Sequence, residues 1–313
     1  MINKPFKIFA TSSASQLGGT IATELGQELG DFHSETFSDG EKFVSFGESI
    51  RGRLVFIVSQ INMPYENLFE LFLTIDAARR SSAEQVIAVL PYLPHSRQER
   101  KGNSRTAIAS RLVADLMQQS GADRVITLDL HSGSIEGFFK IPVDHLFMSQ
   151  IYIRHIQDLG LPNLCLCSPD FGGLKRIKLY KQALNCDMAV IHKERLKPNQ
   201  VSHMEIIGDV ADKHVVLIDD LIDTAGTICT AADLLMEQGA ASVRAYCTHG
   251  IFSGSALQRI KASALERVYV SDSVNYVQQD GKIEVVSCGN LIAQAIKRLL
   301  ENGSLMEIAN HGI

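Results

Sequence analysis

The 313-residue sequence has no tryptophan, only eight prolines and no Cys-x-x-Cys pair. Without such a pair a thiolate zinc site is not expected. The six cysteines, set mostly in apolar runs such as 164–167, read as buried reduced thiols acting as small hydrophobes. Eight prolines and 23 glycines leave no room for a low-complexity linker. Positive charge is not in excess either: the net charge of −5 offers no basic footprint for nucleic acid, although a small phosphate ligand needs only a local cluster of cations. No run approaches the roughly 18 apolar residues that suggest a membrane span, and the opening MINKPFKIFATSS lacks the apolar core of a signal peptide. The expectation is a cytoplasmic protein with neither nucleic-acid nor membrane partners. Apolar residues at 45% and charged residues at 21% are globular proportions, and the length allows two domains of about 150 residues each.

What is present is alternation. Short β-branched runs at 54–59, 86–90, 125–129, 164–168, 188–192, 215–218 and 243–247 read as strands. Between them lie helical stripes: Leu68, Leu71, Phe72, Ile75; then Ile228, Ala231, Ala232, Leu235; then Ile292, Ala295, Ile296, Leu299. Strands apolar on both faces and separated by helices predict an α/β protein with mainly parallel sheets flanked by helices. Two passages look like copies of one plan, a strand followed by small polar residues and a helix: 125–134 and 215–227. They predict two similar domains, 1–148 and 149–313, with a site at their junction.

The richest stretch is HVVLIDDLIDTAGTICTAADLL, 214–235. Four apolar residues form a buried strand, and Asp219 and Asp220 follow together. Adjacent carboxylates repel, so their place at a strand end requires cations or hydroxyl donors nearby. Asp223, Thr224, Ala225, Gly226 and Thr227 come next, immediately before an amphipathic helix. Small side chains let successive backbone N–H groups converge on an anion, and the helix start adds partial positive charge. Helix capping by Asp223 or Thr224 explains one polar residue, but not three carboxylates and a small-residue nest. The Gly-Lys-Ser/Thr ending of a P-loop is missing. The stretch resembles the signature of the phosphoribosyltransferase-type fold, in which two acids hold ribose hydroxyls and the loop holds the 5-phosphate.

Further motifs narrow the resemblance: Phe37-Ser38-Asp39-Gly40-Glu41 with Glu48-Ser49-Ile50-Arg51-Gly52; Pro91-Tyr92 leading to Ser96-Arg97-Gln98-Glu99-Arg100; Asp129-Leu130-His131 and Ile135-Glu136-Gly137-Phe138-Phe139; Ser168-Pro169-Asp170 with Gly172-Gly173; and Ile207-Gly208-Asp209-Val210. In this order, from about 7 to 300, the set resembles the ribose-phosphate pyrophosphokinases, the phosphoribosyl pyrophosphate synthases. The resemblance implies two phosphoribosyltransferase-like domains, the first with the ATP flap and adenine site, the second with the ribose 5-phosphate loop and catalytic Lys. The last helix is expected to pack back on the first domain. It also implies transfer of the β,γ-diphosphoryl group of ATP to the C1 hydroxyl of ribose 5-phosphate, with Mg2+, giving phosphoribosyl pyrophosphate and AMP.

By the same resemblance Phe37, Asp39 and Glu41 contact the adenine, usually from a neighbouring subunit, and Arg97, Gln98 and Arg100 bind the nucleotide. Alone, Ser-Asp-Gly-Glu is an ordinary turn. Arg97, Arg100, Lys101 and Arg105 within nine residues make a cationic flap. His131 and Asp170 match magnesium-binding positions, with Asp129 an additional contact; a lone His after a strand is more often structural, and magnesium prefers oxygen. Lys193 matches the catalytic Lys and Arg195 the Arg two residues on, expected to cover the transferring phosphoryl group as a loop closes. The family's dimers built into hexamers imply a homo-oligomer.

Three departures stand out. The segment 101–111 is shorter by about one residue and less basic than the family's. His192 and Glu194 flank Lys193 where Asp and Arg are usual. The C-terminal SLMEIANHGI lacks the aromatic of the phosphate and ADP regulatory site, which Ser49, Arg51 and Ser82 match in part. Two other readings compete. A phosphoribosyltransferase shares 219–227 but does not explain Arg97, Gln98, Lys193 and Arg195 together. A silent regulatory paralogue has no use for Lys193, Arg195 and all three loop carboxylates.

Overall fold

Strands that are apolar at every position need cover on both faces, and the amphipathic segments between them supply it. The computed structural model describes residues 5–61, 65–194, 203–275, 281–305 and 308. The chain forms two compact units: Met1–Phe147 with Asp272–Asn275 and Ser287–Ala309, and Met148–Ser271 with Tyr276–Val286 and Asn310–Ile313.

In the first unit the chain runs β1 (Phe6–Ala10), α1 (Ser15–Glu24), β2 (Phe32–Thr36), β3 (Lys42–Phe46), β4 (Leu54–Val58), α2 (Glu66–Arg80), β5 (Gln85–Leu90), α3 (Ala109–Ser120), β6 (Arg124–Leu128), a 3-10 helix (Gly133–Phe138) and β7 (Val143–Leu146). Five strands form a parallel sheet in the order β1-β4-β5-β6-β7, while β2 and β3 make a separate antiparallel hairpin. Val55, Ile57, Val86, Ala88, Leu90 and Val125 from the sheet meet Leu71 and Ile75 of α2 and Val113 and Met117 of α3 in one core. Each of these Val, Leu, Ile and Met side chains contributes about 1.5–3 kcal/mol on burial.

The second unit runs α4 (Ser149–Asp158), β8 (Leu164–Ser168), α5 (Leu174–Leu184), β9 (Asp187–Glu194), β10 (His203–Ile207), β11 (His214–Ile222), α6 (Gly226–Glu237), β12 (Ser242–Gly250), α7 (Ala256–Ala262), β13 (Leu265–Ser271) and β14 (Ile283–Val285). Its sheet has the order β10-β9-β8-β11-β12-β13-β14 and is parallel except for β10 against β9. Ile228, Ala231, Ala232 and Leu235 of α6 all enter the core, so this stripe is the buried face its spacing predicts. The last helix, α8 (Gly289–Leu300), belongs to the first unit and packs on α1. A Cβ at Gly289 would lie 2.7 Å from Cγ2 of Thr20, so this crossing admits only glycine without a shift.

The α/β class with parallel sheets is as read from the sequence; several boundaries are not. The acid pair does not follow its strand but lies inside it: β11 continues to Ile222, and Asp219 pairs with Cys247. The reason is the neighbour, because β12 extends to Gly250 and carries the ladder past the apolar run. Likewise β9 runs two residues past the run 188–192, to Glu194, placing Lys193 at the strand end opposite Met204 of β10. The 125–134 passage does lead from a strand into a helix, but that helix is a six-residue 3-10 helix, where 215–227 leads into the twelve-residue α6. All six cysteines are free and five are buried; burial raises the Cys165 thiol to about 11. Among the described residues no helix is long and apolar enough to cross a membrane.

Candidate active site

The strand order of the second unit fixes where a ligand belongs. From β8 the chain passes through α5 to β9 on one side, and from β11 through α6 to β12 on the other, although β8 and β11 are neighbours. The two connections diverge, leaving a crevice beyond the carboxyl ends of β8 and β11, the switch point where open α/β sheets bind ligands. Among the described residues the first unit's parallel sheet runs in chain order, β1-β4-β5-β6-β7, without such a reversal. Asp170 follows β8, and the 223–227 loop follows β11, so both lie at this edge.

At the loop, α6 begins unusually. Its N-cap is Ala225, with φ 61° and ψ 4°, and no side chain caps the helix. A left-handed alanine costs about 1–2 kcal/mol, and the first four N–H groups of any α-helix have no partner within it. The N-cap position itself is thus taken by Ala225, not by Asp223 or Thr224. Thr224 and Thr227 beside this turn are exposed, and the first N–H groups of α6 are the donors that such a turn can offer an anion. The loop is braced from behind: Ser253 N–H donates to the Asp223 carbonyl at 3.0 Å, and Arg259 of α7 donates from Nη1 to the Thr224 carbonyl at 2.9 Å. At Gly226 a Cβ would find its nearest neighbour at 3.7 Å, so protein packing does not demand the glycine.

The acids are held by a residue the sequence reading missed. Arg176, in the first turn of α5, reaches Asp219 at 3.4 Å and Asp220 at 3.0 Å. The Asp220 N–H also donates to Oδ1 of Asp219 at 2.9 Å. One guanidinium does not compensate two carboxylates. Burial, and then the charge of Asp220, pushes Asp219 well above the usual carboxylate range against the opposing pull of Arg176. In the sequence Arg176 stands among Lys175, Lys178 and Lys181, and its place three residues after Gly173 was its only signal. Asp170 stands exposed with Oδ1 accepting the Gly173 N–H at 3.0 Å. Arg195 and the side chain of Lys193 lie outside the described residues.

Comparisons with known proteins show which family the chain belongs to. Residues 6–121 match the family model for the N-terminal domain of ribose phosphate pyrophosphokinase, and 187–309 the phosphoribosyl synthetase-associated domain. The ribose-phosphate pyrophosphokinase of Porphyromonas gingivalis is 44% identical over 301 residues, 96% of each chain. That of Chlorobaculum tepidum is 46% identical over 303 residues, 96% of this chain and 94% of its own. The chain belongs to the ribose-phosphate pyrophosphokinase family. A crystal structure of phosphoribosylpyrophosphate synthetase from Mycobacterium smegmatis superposes with a TM-score of 0.90 at 34% identity, covering 96% of this chain and all of that one (100%). As a pyrophosphokinase the protein is an enzyme, a transferase of nucleotide biosynthesis.

The remaining residues singled out for this pyrophosphokinase lie in the first unit. Phe37, Asp39 and Glu41 form the tip between β2 and β3: Phe37 N–H donates to the Glu41 carbonyl at 2.8 Å, and Glu41 N–H to Oδ1 of Asp39 at 3.0 Å. Phe37 is 46% exposed and packs on Phe43, ring centroids 5.8 Å apart. Arg97, Gln98 and Arg100 occupy the irregular segment between β5 and α3; Arg97 and Arg100 are exposed, while the Gln98 carbonyl accepts Ser110 Oγ–H at 3.0 Å. Asp129, just past β6, is buried, and His131 is exposed.

Proposed function

We propose that the chain transfers the β,γ-diphosphoryl group of ATP to the C1 hydroxyl of ribose 5-phosphate, giving phosphoribosyl pyrophosphate and AMP. The observation that carries this reading is the uncapped start of α6 at left-handed Ala225, beside the acid pair at the switch point. The 5-phosphate fits the N–H groups and hydroxyls of Thr224, Ala225, Gly226 and Thr227. The ribose hydroxyls fit Asp219, Asp220 and Asp223 as donors, which lets Asp219 release its proton without adding unpaired charge.

The domain roles follow: the first unit supplies the nucleotide contacts, the second the sugar phosphate loop and Lys193. Arg97, Gln98 and Arg100 contact ATP on the flap, and Phe37, Asp39 and Glu41 contact the adenine of a neighbouring copy in a dimer-based hexamer. The exposure of that hairpin tip within one protomer supports the sharing. Lys193 and Arg195 neutralise charge on the transferring phosphoryl oxygens, where phosphoryl transfer needs it.

The donor set also fits magnesium. Among the described residues no three or more His, Cys, Asp or Glu side chains converge as a cage. Magnesium rarely uses one, being held by one or two carboxylates together with water and substrate phosphates. Asp170 would hold it, with Asp129 and His131 assisting. When bound, the ion supplies neutralisation of phosphate charge. The free thiols support a reducing compartment, the cytoplasm.

The test is AMP release from ATP and ribose 5-phosphate, with Lys193→Ala beside wild type. Wild-type release and loss in the variant, with ribose 5-phosphate still bound, supports the reaction and the role of Lys193. Binding without AMP in the wild type points to a silent paralogue.

A further inference from the structure

Glu136 belongs to a motif that the reaction leaves without a role, and its geometry leads back to the site. Strand β6 stops at Leu128, and Asp129 then adopts φ 33°, a positive φ that is uncommon outside glycine and that aspartate adopts more readily than most residues. The Asp129 N–H continues the sheet, donating to the Leu146 carbonyl of β7 at 2.9 Å. The next N–H, that of Leu130, has passed the end of the ladder and donates instead to Nε2 of His145 at 2.9 Å. His145 lies on β7, opposite Thr127 of β6, with 10% of its side chain exposed. Its Nδ1 is 2.6 Å from Oε1 of Glu136 on the 3-10 helix, and its ring packs on Phe147 at 4.3 Å between centroids.

These contacts fix the ring. Nε2 accepts a backbone N–H, so the hydrogen of the neutral imidazole is on Nδ1 and is donated to the Glu136 carboxylate. Both nitrogens are committed. The ring has no lone pair for a metal and no free N–H for a substrate, and it can act only through Leu130.

We propose that His145, oriented by Glu136, is a positioning residue that holds the backbone of Leu130 and so sets the placement of Asp129 and His131 on either side. The proposal rests on the reading of those two residues as part of the magnesium and nucleotide machinery. Without the imidazole, Leu130 N–H at the sheet end loses its partner and the left-handed turn at Asp129 loses its brace. Misplacement of reacting groups by an ångström costs on the order of 100-fold in rate.

The test uses the whole protein with His145→Ala, His145→Gln, Glu136→Ala and Glu136→Gln. Glutamine at 145 keeps an acceptor near the Nε2 position; glutamine at 136 keeps an acceptor for Nδ1–H. Hydrogen exchange across 129–135, without metal or substrate, reads the hydrogen bond by itself, and steady-state kinetics read its consequence. In His145→Ala exchange there rises about 10-fold or more and kcat falls about 10- to 100-fold. KM for ribose 5-phosphate holds, because the phosphate loop lies on the other sheet. His145→Gln and Glu136→Gln restore both readouts most of the way, and Glu136→Ala falls between. Unchanged exchange in His145→Ala, raised exchange with intact kcat, or a folded His145→Gln as impaired as the alanine variant would each overturn the proposal. If His145→Ala does not fold, the Glu136 pair and His145→Gln decide in the same way. A wild type that makes no AMP defeats the proposed reaction, while exchange still judges the contact.

Discussion

The guanidinium of Arg176 lies 3.0 Å from Oδ1 of Asp220, joining the first turn of α5 to the acids of β11. It is the cation that makes two adjacent carboxylates tolerable in a strand. Replacing it with alanine leaves them uncompensated. Breaking a fully buried pair costs about 3–5 kcal/mol; Arg176 retains 22% exposure, so about 2 kcal/mol is expected. The loss should be greater at pH 8 than at pH 5, where the acid pair keeps a proton. Thermal melts at both pH values check this, and equal losses would show that Arg176 acts by packing alone.

Asp219→Asn should separate stability from function. The carboxyl is raised in the folded chain, so the folded state holds its proton more tightly than the unfolded state. Its contribution is fully present below the unfolded value of about 4 and is lost as pH rises through the raised folded value. Asparagine does not titrate. The variant should match wild type near pH 4 and exceed it above pH 8 by about 0.5–2 kcal/mol, the usual gain when a strained functional site is relieved. Its KM for ribose 5-phosphate should rise. A variant less stable than wild type at pH 9 contradicts the assignment.

Gly226→Ala tests whether the space above the loop belongs to a ligand. An added Cβ has 3.7 Å of clearance within the protein, and alanine is the better helix former. Melting temperature should hold or rise, while affinity for ribose 5-phosphate falls about 10-fold or more as the methyl enters the phosphate cradle. Unchanged affinity would mean that the phosphate does not approach this backbone.

Much of this was legible in the sequence, for local reasons. The run 215–218, the acids and the small residues 223–227 sit together in the chain, as do the stripes of α2 and α6. What escaped depends on neighbours. The extension of β11 to Ile222 comes from the length of β12, and β10 is recognisable only once β9 is there to pair with it. Arg176 acquires meaning from acids 43 residues away, and His145 from a backbone N–H that the end of β6 leaves without a strand partner. The β2–β3 hairpin, half exposed and mixed in composition, carries little period-two signal.

Regulation gives a further expectation. Ser49, Arg51 and Ser82 match part of the family's phosphate and ADP site, but SLMEIANHGI lacks its aromatic; within that tail, 306–307 and 309–313 lie outside the described residues. Coupling between sites requires contacts that differ between states. Activity should respond flatly to added inorganic phosphate. Strong activation accompanied by ADP inhibition would contradict this.

The most direct measurement is a crystal structure with ribose 5-phosphate bound. The phosphate is expected within hydrogen-bond distance of the N–H groups at 225–227 and of the Thr224 and Thr227 hydroxyls, with the sugar hydroxyls on Asp219 and Asp220. Density for the phosphate at any other place, with that turn vacant, would contradict the account.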